Sequence, residues 1–341
     1  MSETDPQPAA PASKRRWFQP SLWTMLAGVA ILALLLGLAW FCGIAGFGDP
    51  VKNLADVVRY PPDPEALGDA LYWVHQSGRD EDAFAAIQPL LSDQDSRVRM
   101  EATSALASLA VEACKKTPFL LKRLSDTAPS ARSKAAEGLG EVGASDPRVV
   151  PALRNALHDS DPWVRQMAMR AVQKIGPGAS AAVPDLVAQL ATAEDWVAAE
   201  ALGSIGPEAK AAVPALTNLL QRSTRYARLE AAEAIWKIDR NADLAVPALI
   251  ASLDDGYGPI RVEAAQMLGK IGPPAVKALP ALKKMLEDKP REDRDPPKPG
   301  GPSGDAIPRV RKMTEAEFYP QIERAVSAAI DQISGAKEDR K

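Results

Sequence analysis

Cysteine and histidine are almost absent: the chain holds two of each, Cys42, Cys114, His75 and His158. None of the four has a second histidine or cysteine at the spacing that a zinc site needs, and one cysteine outside the apolar N-terminal run excludes an internal disulfide framework. No charge of one sign dominates. Residues 49–341 carry 38 Lys plus Arg against 42 Asp plus Glu. A net charge near −4 on mixed-sign residues suits solubility and offers no general attraction to polyanions, which argues against nucleic acid as a partner. Also missing are a glycine-rich phosphate loop, a dinucleotide fingerprint, a zinc-hydrolase helix and a serine elbow. Both histidines therefore read as surface side chains and Cys114 as a buried or incidental thiol. No cofactor and no metal is implied.

What is present at the N-terminus is a long uncharged run from Ser21 to Gly48. A helix rising ~1.5 Å per residue needs only ~20 to cross a hydrocarbon core of ~30 Å. Trp17, Phe18 and Trp23 flank one end, Trp40, Phe41 and Phe47 the other, and Lys14, Arg15 and Arg16 precede the run. The expectation is a single-pass transmembrane helix over 21–48 behind a disordered cytoplasmic tail over 1–20, with the rest of the chain periplasmic or otherwise extracytoplasmic. Two other readings use the same residues: a cleaved signal peptide, whose apolar region is usually about 7–15 residues, and a lipid-modified Cys42. LAWFCG resembles a bacterial lipoprotein signal in having Gly43 after the cysteine, but Trp40 and Phe41 stand where that family has small residues.

The remainder is periodic. Pro118, Pro151, Pro184, Pro214, Pro247 and Pro280 recur at one spacing, except that the interval from Pro184 to Pro214 is three positions shorter than the rest. From Pro151 onward an apolar run of PALRNAL type follows each proline. A second series follows at fixed offset: VRMEATSALASL from Val98, ARSKAAEGLGEV from Ala131, VRQMAMRAVQKI from Val164, ARLEAAEAIWKI from Ala227 and IRVEAAQMLGKI from Ile260. Small or apolar residues at positions 1, 5, 8, 9 and 12 mark one side of a helix. Each unit is thus two helices, with proline at the start of the first, where a missing amide hydrogen costs little. Gly176, Gly206 and Gly272, each followed by proline, end second helices. Two short amphipathic helices cannot bury their apolar sides alone, but stacked pairs can, and the result is an α-solenoid.

Repeats of this length, with aspartate at the turn between helices and arginine six residues later, resemble bacterial HEAT repeats, including the HEAT-like class compared with cyanobacterial bilin lyase subunits. The matching pairs are Asp93 with Arg99, Asp126 with Arg132, Asp159 with Arg165, and Asp255 with Arg261. The resemblance implies an all-α, right-handed solenoid of antiparallel helix pairs and gives these residues the role of a polar ladder tying turn to turn. The expected organisation after the membrane helix is an N-terminal helical cap over 49–84, HEAT-like repeats over 85–286, a charged Pro/Gly-rich insertion over 287–318, a capping helix over 319–334 and a tail over 335–341.

Irregular units stand out against this frame. The shorter interval clips one repeat, ATAEDWVAAEALGS, which has neither ladder partner; Trp196 falls beside the shortened turn, to fill its volume or to anchor a partner. The next turn replaces aspartate with Arg222 and adds Arg225, Tyr226 and Arg228, a modest basic patch interrupted by Glu230, Glu233 and Asp239.

In HEAT arrays the second helices line the concave side. Positions off their apolar stripe are the candidate partner-binding residues: Glu101, Lys134, Met167, Glu230 and Glu263 at position 4, Glu137, Arg170, Glu233 and Gln266 at position 7, and Lys174, Lys237 and Lys270 at position 11, together with Trp196. With no catalytic constellation in view, the expected function is a membrane-anchored, non-enzymatic scaffold for a protein partner. The alternative is a lyase-like or nucleic-acid-processing enzyme built on the same repeats.

Overall fold

Short amphipathic helices gain little stability alone, and this chain buries their apolar rows by pairing and stacking them. The computed structural model describes residues 49–61, 65–221, 224–287 and 315–335, without the side chains of 315–318. Two helices, α1 (Pro50–Arg59) and α2 (Ala66–Ser77), precede seven pairs. These are α3 (Asp80–Ile87) with α4 (Ser96–Ser108), α5 (Ala113–Arg123) with α6 (Pro129–Val142), α7 (Val149–Ala156) with α8 (Pro162–Ile175), α9 (Val183–Gln189) with α10 (Asp195–Ile205), α11 (Val213–Leu220) with α12 (Arg225–Asp239), α13 (Ala242–Ser252) with α14 (Gly258–Ile271), and α15 (Leu279–Glu287) with α16 (Glu315–Ser334). The second helices of the pairs stack on one another in chain order. The architecture is an all-α solenoid of paired helices.

Two expectations change. Among the described residues no helix is long and apolar enough to cross a membrane. Even the longest, EAEFYPQIERAVSAAIDQIS, is interrupted by Glu323, Arg324 and Asp331. The span expected over 21–48 lies outside the described residues, as do the tail over 1–20, Arg222 and most of the insertion. The described fold is therefore the solenoid without a membrane helix, and the sidedness inferred from such a helix falls with it. The prolines also sit differently. Pro184, Pro214 and Pro280 lie in first turns, but Pro118 and Pro247 are inside α5 and α13, which begin a turn earlier. One proline there removes a single intrahelical hydrogen bond. In other repeats a 3-10 turn occupies that stretch, Gly176–Ala182, Gly206–Ala212 and Pro273–Ala278.

Close stacking of second helices depends on small residues at position 10. A Cβ added to Gly140 of α6 would lie 2.9 Å from the Ala171 Cα of α8, one on Gly203 of α10 3.1 Å from the Ala234 Cα of α12, and one on Gly269 of α14 3.1 Å from the Ala329 Cα of α16. The backbones approach closely at all three, and at Gly269 the Gln332 side chain also reaches the place a Cβ would take.

The turns are joined by arginines that reach forward. Arg99 donates through Nη1 to the carbonyls of Asp93 and Gln94 in its own turn, and through Nε and Nη2 to both carboxylate oxygens of Asp126 in the next, at 2.8 Å each. Arg132 repeats the arrangement, with its own Asp126 and Thr127 carbonyls and the Asp159 carboxylate. Each aspartate also accepts from the amide two residues on, Ala128 for Asp126 and Asp161 for Asp159, which folds its own turn. Hydrogen bonds from Arg99 and Arg132 hold the carboxyls of Asp126 and Asp159 below the usual range.

At the clipped repeat the acceptor changes. Arg165 bonds the Asp159 and Ser160 carbonyls as expected, but its forward partner is Glu194, Nη2 to Oε1 at 3.0 Å. The unit is therefore not without a rung. The rung is a single bond, and Arg165 Nε and Glu194 Oε2 are buried without a hydrogen-bond partner. Further on, Arg225 reaches Asp255 at 3.2 Å, and Arg261 donates to the Asp255 carbonyl.

Two predictions concern stability in urea. Gly140→Ala should lower it by about 1–3 kcal/mol through overpacking. Gly256→Ala, whose added Cβ meets nothing within 4 Å, should change it little; equal effects would dismiss the close-stacking account. Asp126→Asn, which leaves Arg99 half-buried and short of its counter-charge, should cost about 3 kcal/mol. Glu194→Gln, which keeps the Oε1 acceptor and removes the charge from one bond, should cost about 1 kcal/mol, and the reverse ranking would contradict the rung geometry.

Candidate functional site

Core rows and ladder together use most of each second helix, leaving positions 4, 7 and 11 of α4 to α14 as a strip off the apolar rows, with position 4 partly buried and position 11 exposed in most of them. The structure places Glu101 on α4, Lys134 and Glu137 on α6, Arg170 and Lys174 on α8, Trp196 on α10, Glu230, Glu233 and Lys237 on α12, and Glu263, Gln266 and Lys270 on α14. Met167 differs: it is buried in the main apolar cluster.

Within the strip several charges are internally paired. Lys134 bonds Glu137 at 2.9 Å, Lys174 reaches back to Glu141 on α6, and Lys237 bonds Glu233 at 2.9 Å. Trp196 is half-buried against the core, and the Arg170 guanidinium lies 6.0 Å from its ring centre. The basic patch around α12 is absorbed too, since Arg225 pairs with Asp255 and stacks near Tyr257, and Arg240 stacks on Trp236. His75 and His158 each contact an aspartate, Asp80 and Asp185, and Cys114 is exposed rather than buried. Among the described residues no group of histidine, cysteine, aspartate and glutamate could hold a metal ion.

The C-terminal half of the strip has a different character. Glu200 on α10, Glu230 and Glu233 on α12 and Glu263 on α14 crowd together on three successive helices. Desolvation, reinforced by the Glu200, Glu233 and Glu263 charges and opposed by Lys237, pushes the Glu230 carboxyl up to about 8. Glu263 is raised as well, by desolvation and by Glu233 and Glu200, against Lys270. Glu200 accepts a hydrogen bond from Gln173 of α8 at 2.7 Å. Sequence reasoning passes over Glu200 and Gln173. Counting the clipped repeat backward from Ile205 would put Glu200 in the same column as Arg170 and Glu233.

A carboxyl whose folded pKa is raised stabilises the fold at pH below its unfolded value and loses that contribution as pH rises through the folded one. Stability should therefore decline from about pH 5 to above pH 8, the interval between the unfolded value and that of Glu230. Glu230→Gln should flatten that decline in thermal melts at pH 5 and pH 9. An unchanged slope would rule out Glu230 as its source.

The family model for HEAT repeats matches residues 117–206 and 213–295, more than half of the chain, and that for the PBS lyase HEAT-like repeat matches 196–222. No curated protein matches. Among solved structures, the Escherichia coli protein YibA is 17% identical, covering 88% of this chain and 96% of its own, with a TM-score of 0.56. The CpcE–CpcF complex of phycocyanin lyase from Nostoc sp. PCC7120 is 21% identical over 73% of this chain and 94% of its own, with a TM-score of 0.46. Human deoxyhypusine hydroxylase in complex with glycerol is 22% identical over 84% and 96%, with a TM-score of 0.31. These likenesses concern the fold. The expectation of a membrane-anchored, non-enzymatic scaffold is corrected on two grounds: no described helix is a membrane span, and one matching repeat is that of a lyase, so missing motifs do not set the chain apart from enzymes. On the extent of the repeat match and the ladder that accompanies it, the chain belongs to the HEAT-repeat family.

Proposed function

We propose that this chain is a lyase-type HEAT protein that acts on a protein partner held along its second-helix strip, with the acidic part of the strip taking a basic segment of that partner. The observation that carries the reading is the crowding of Glu200, Glu230, Glu233 and Glu263. Like charges placed side by side work against the fold, and a solenoid has ample exposed surface on which to disperse them. Their clustering on one strip is accounted for by a cationic partner that relieves the repulsion on binding. The same crowding supplies chemistry. A lyase step requires a group that gives and takes a proton near neutral pH, and a carboxyl titrating at about 8 meets that requirement. Glu230 is the residue assigned to it, with Glu200, Glu233 and Glu263 as partner contacts.

Candidate residues elsewhere on the strip, Glu101, Lys134, Glu137, Arg170, Lys174, Gln266 and Lys270, form the flanking, mixed-charge surface in this reading. Trp196 is the apolar contact between the two halves.

The test is crosslinking and affinity recovery of partners from native extract with wild-type chain and with Glu200→Lys/Glu233→Lys/Glu263→Lys. Recovery of a specific partner should fall at least about tenfold, equivalent to about 1.4 kcal/mol, and should weaken with added salt. Unchanged recovery would sink the proposed surface. Glu230→Gln then separates binding from chemistry: it should retain the partner and abolish modification of it, and a variant that modifies the partner at the wild-type rate would remove Glu230 from the reaction.

A further inference from the structure

The facing residues of successive second helices follow one rule with one exception. At the glycine steps position 10 of each helix opposes position 8 of the next, Ala107 with Gly138, Gly140 with Ala171, Gly203 with Ala234 and Gly269 with Ala329, and the same register puts Gln173 with Ala201 and Trp236 with Met267. Every step has at least one small residue except that from α12 to α14, where both are large.

Three further features coincide at this step. Of all consecutive second helices, α12 and α14 approach each other least. The buried apolar residues divide there into two clusters, one running from Val51 to Ile238 and one from Leu229 to Ile333, with α12 contributing to both. Trp236 is half-buried against the second of them, to which Met267 belongs. The connection after α12 also departs from the others. In place of the glycine and 3-10 turn that follow α6, α8, α10 and α14, Arg240 ends the helix at φ 52°, and is the single non-glycine residue at positive φ among the described residues. Its guanidinium sits 5.1 Å from the Trp236 ring centre, and Asn241 starts α13 at once by accepting from the Leu244 amide.

We infer that the α12–α14 step is a joint, about which the stack from α1 to α12 and the stack from α13 to α16 bend relative to one another. Two large side chains hold the helices apart, so bending there disturbs few backbone-to-backbone contacts. At the Gly140, Gly203 and Gly269 steps the same motion would pull apart helices in direct contact. Trp236 and Met267 act as the spacer, and Arg240 stacked on Trp236 travels with α12. The joint lies between Glu233 on α12 and Glu263 on α14, so its angle sets their separation. The inference concerns the fold alone and does not rest on the proposed partner or reaction.

Distance distributions between pairs of nitroxide labels test it on the full chain with Cys42 and Cys114 replaced by serine. A pair at the exposed residues Asn218 and Lys284 straddles the joint, whereas a pair at Asn155 and Asn218 spans the same number of repeats without crossing it. The first distribution should be about twice as wide as the second, a contrast expected of a flexible step between rigid ones. Trp236→Gly with Met267→Ala, which installs the pairing found at the neighbouring steps, should narrow it to the control width. Equal widths in the wild-type chain would overturn the joint, and a wide distribution that survives the double substitution, in a protein whose circular dichroism is unchanged, would overturn the assigned spacer.

Discussion

A guanidinium that bonds two turns at once is the contact on which the array depends. Arg99 and Arg132 each use one nitrogen on carbonyls of their own turn and the remaining fork on the carboxylate of the next. A lysine, with a point charge and no planar fork, could not satisfy both directions. The contact is largely shielded from water, so it stabilises most when complete. An arginine without its carboxylate would be an unpaired charge, and a carboxylate without its amide would leave its turn unfolded. This explains why repeat length is held constant along most of the array, and why the shortened unit needs a replacement. Its turn offers no aspartate, and the longer Glu194 reaches the waiting Arg165, with the loss of one of the two bonds.

With the ladder fixing register and glycine-to-alanine contacts fixing spacing, the second-helix positions off the apolar rows are free to carry other chemistry. In the N-terminal half they neutralise one another through pairs such as Lys134 with Glu137 and Lys174 with Glu141. In the C-terminal half four carboxyls share two lysines, and desolvation together with the neighbouring carboxylates pushes Glu230 up to about 8. A reading of function that ignored this asymmetry would treat the strip as uniform. Partner docking and proton transfer both follow from the acidic half in the reading proposed above.

Much of this was legible in the residues. The proline spacing and the 1, 5, 8, 9, 12 rows announce paired helices, and the recurrent aspartates and arginines announce a ladder, because each reports a physical requirement repeated many times. What was not legible depends on contacts between repeats. Asp93 and Arg99 look like partners six residues apart, yet Arg99 bonds the carbonyl of Asp93 and gives its charge to Asp126, 27 residues on. Proline spacing located the repeats but not the first residue of α5 or α13, where local helix extends a turn upstream. Glu194 and Glu200 escaped notice because a three-residue deletion shifts them out of their columns, although space restores them. The long apolar run over 21–48 dominated the expectation of function and lies outside the described residues, whereas the periodic positions that build the solenoid lie within them.

The ladder also has a direction. Every complete rung runs from an arginine to the carboxylate of the following turn, so the two ends of such an array are chemically unlike. An array cut in front of a first helix presents an aspartate that still accepts an amide from its own turn, as Asp93 does from Asp95. One cut behind a second helix presents a guanidinium built to enter a carboxylate that has been removed; severed after α8, Arg165 would have no Glu194. Solenoids of this design are therefore tolerant of where they start and exacting about where they stop.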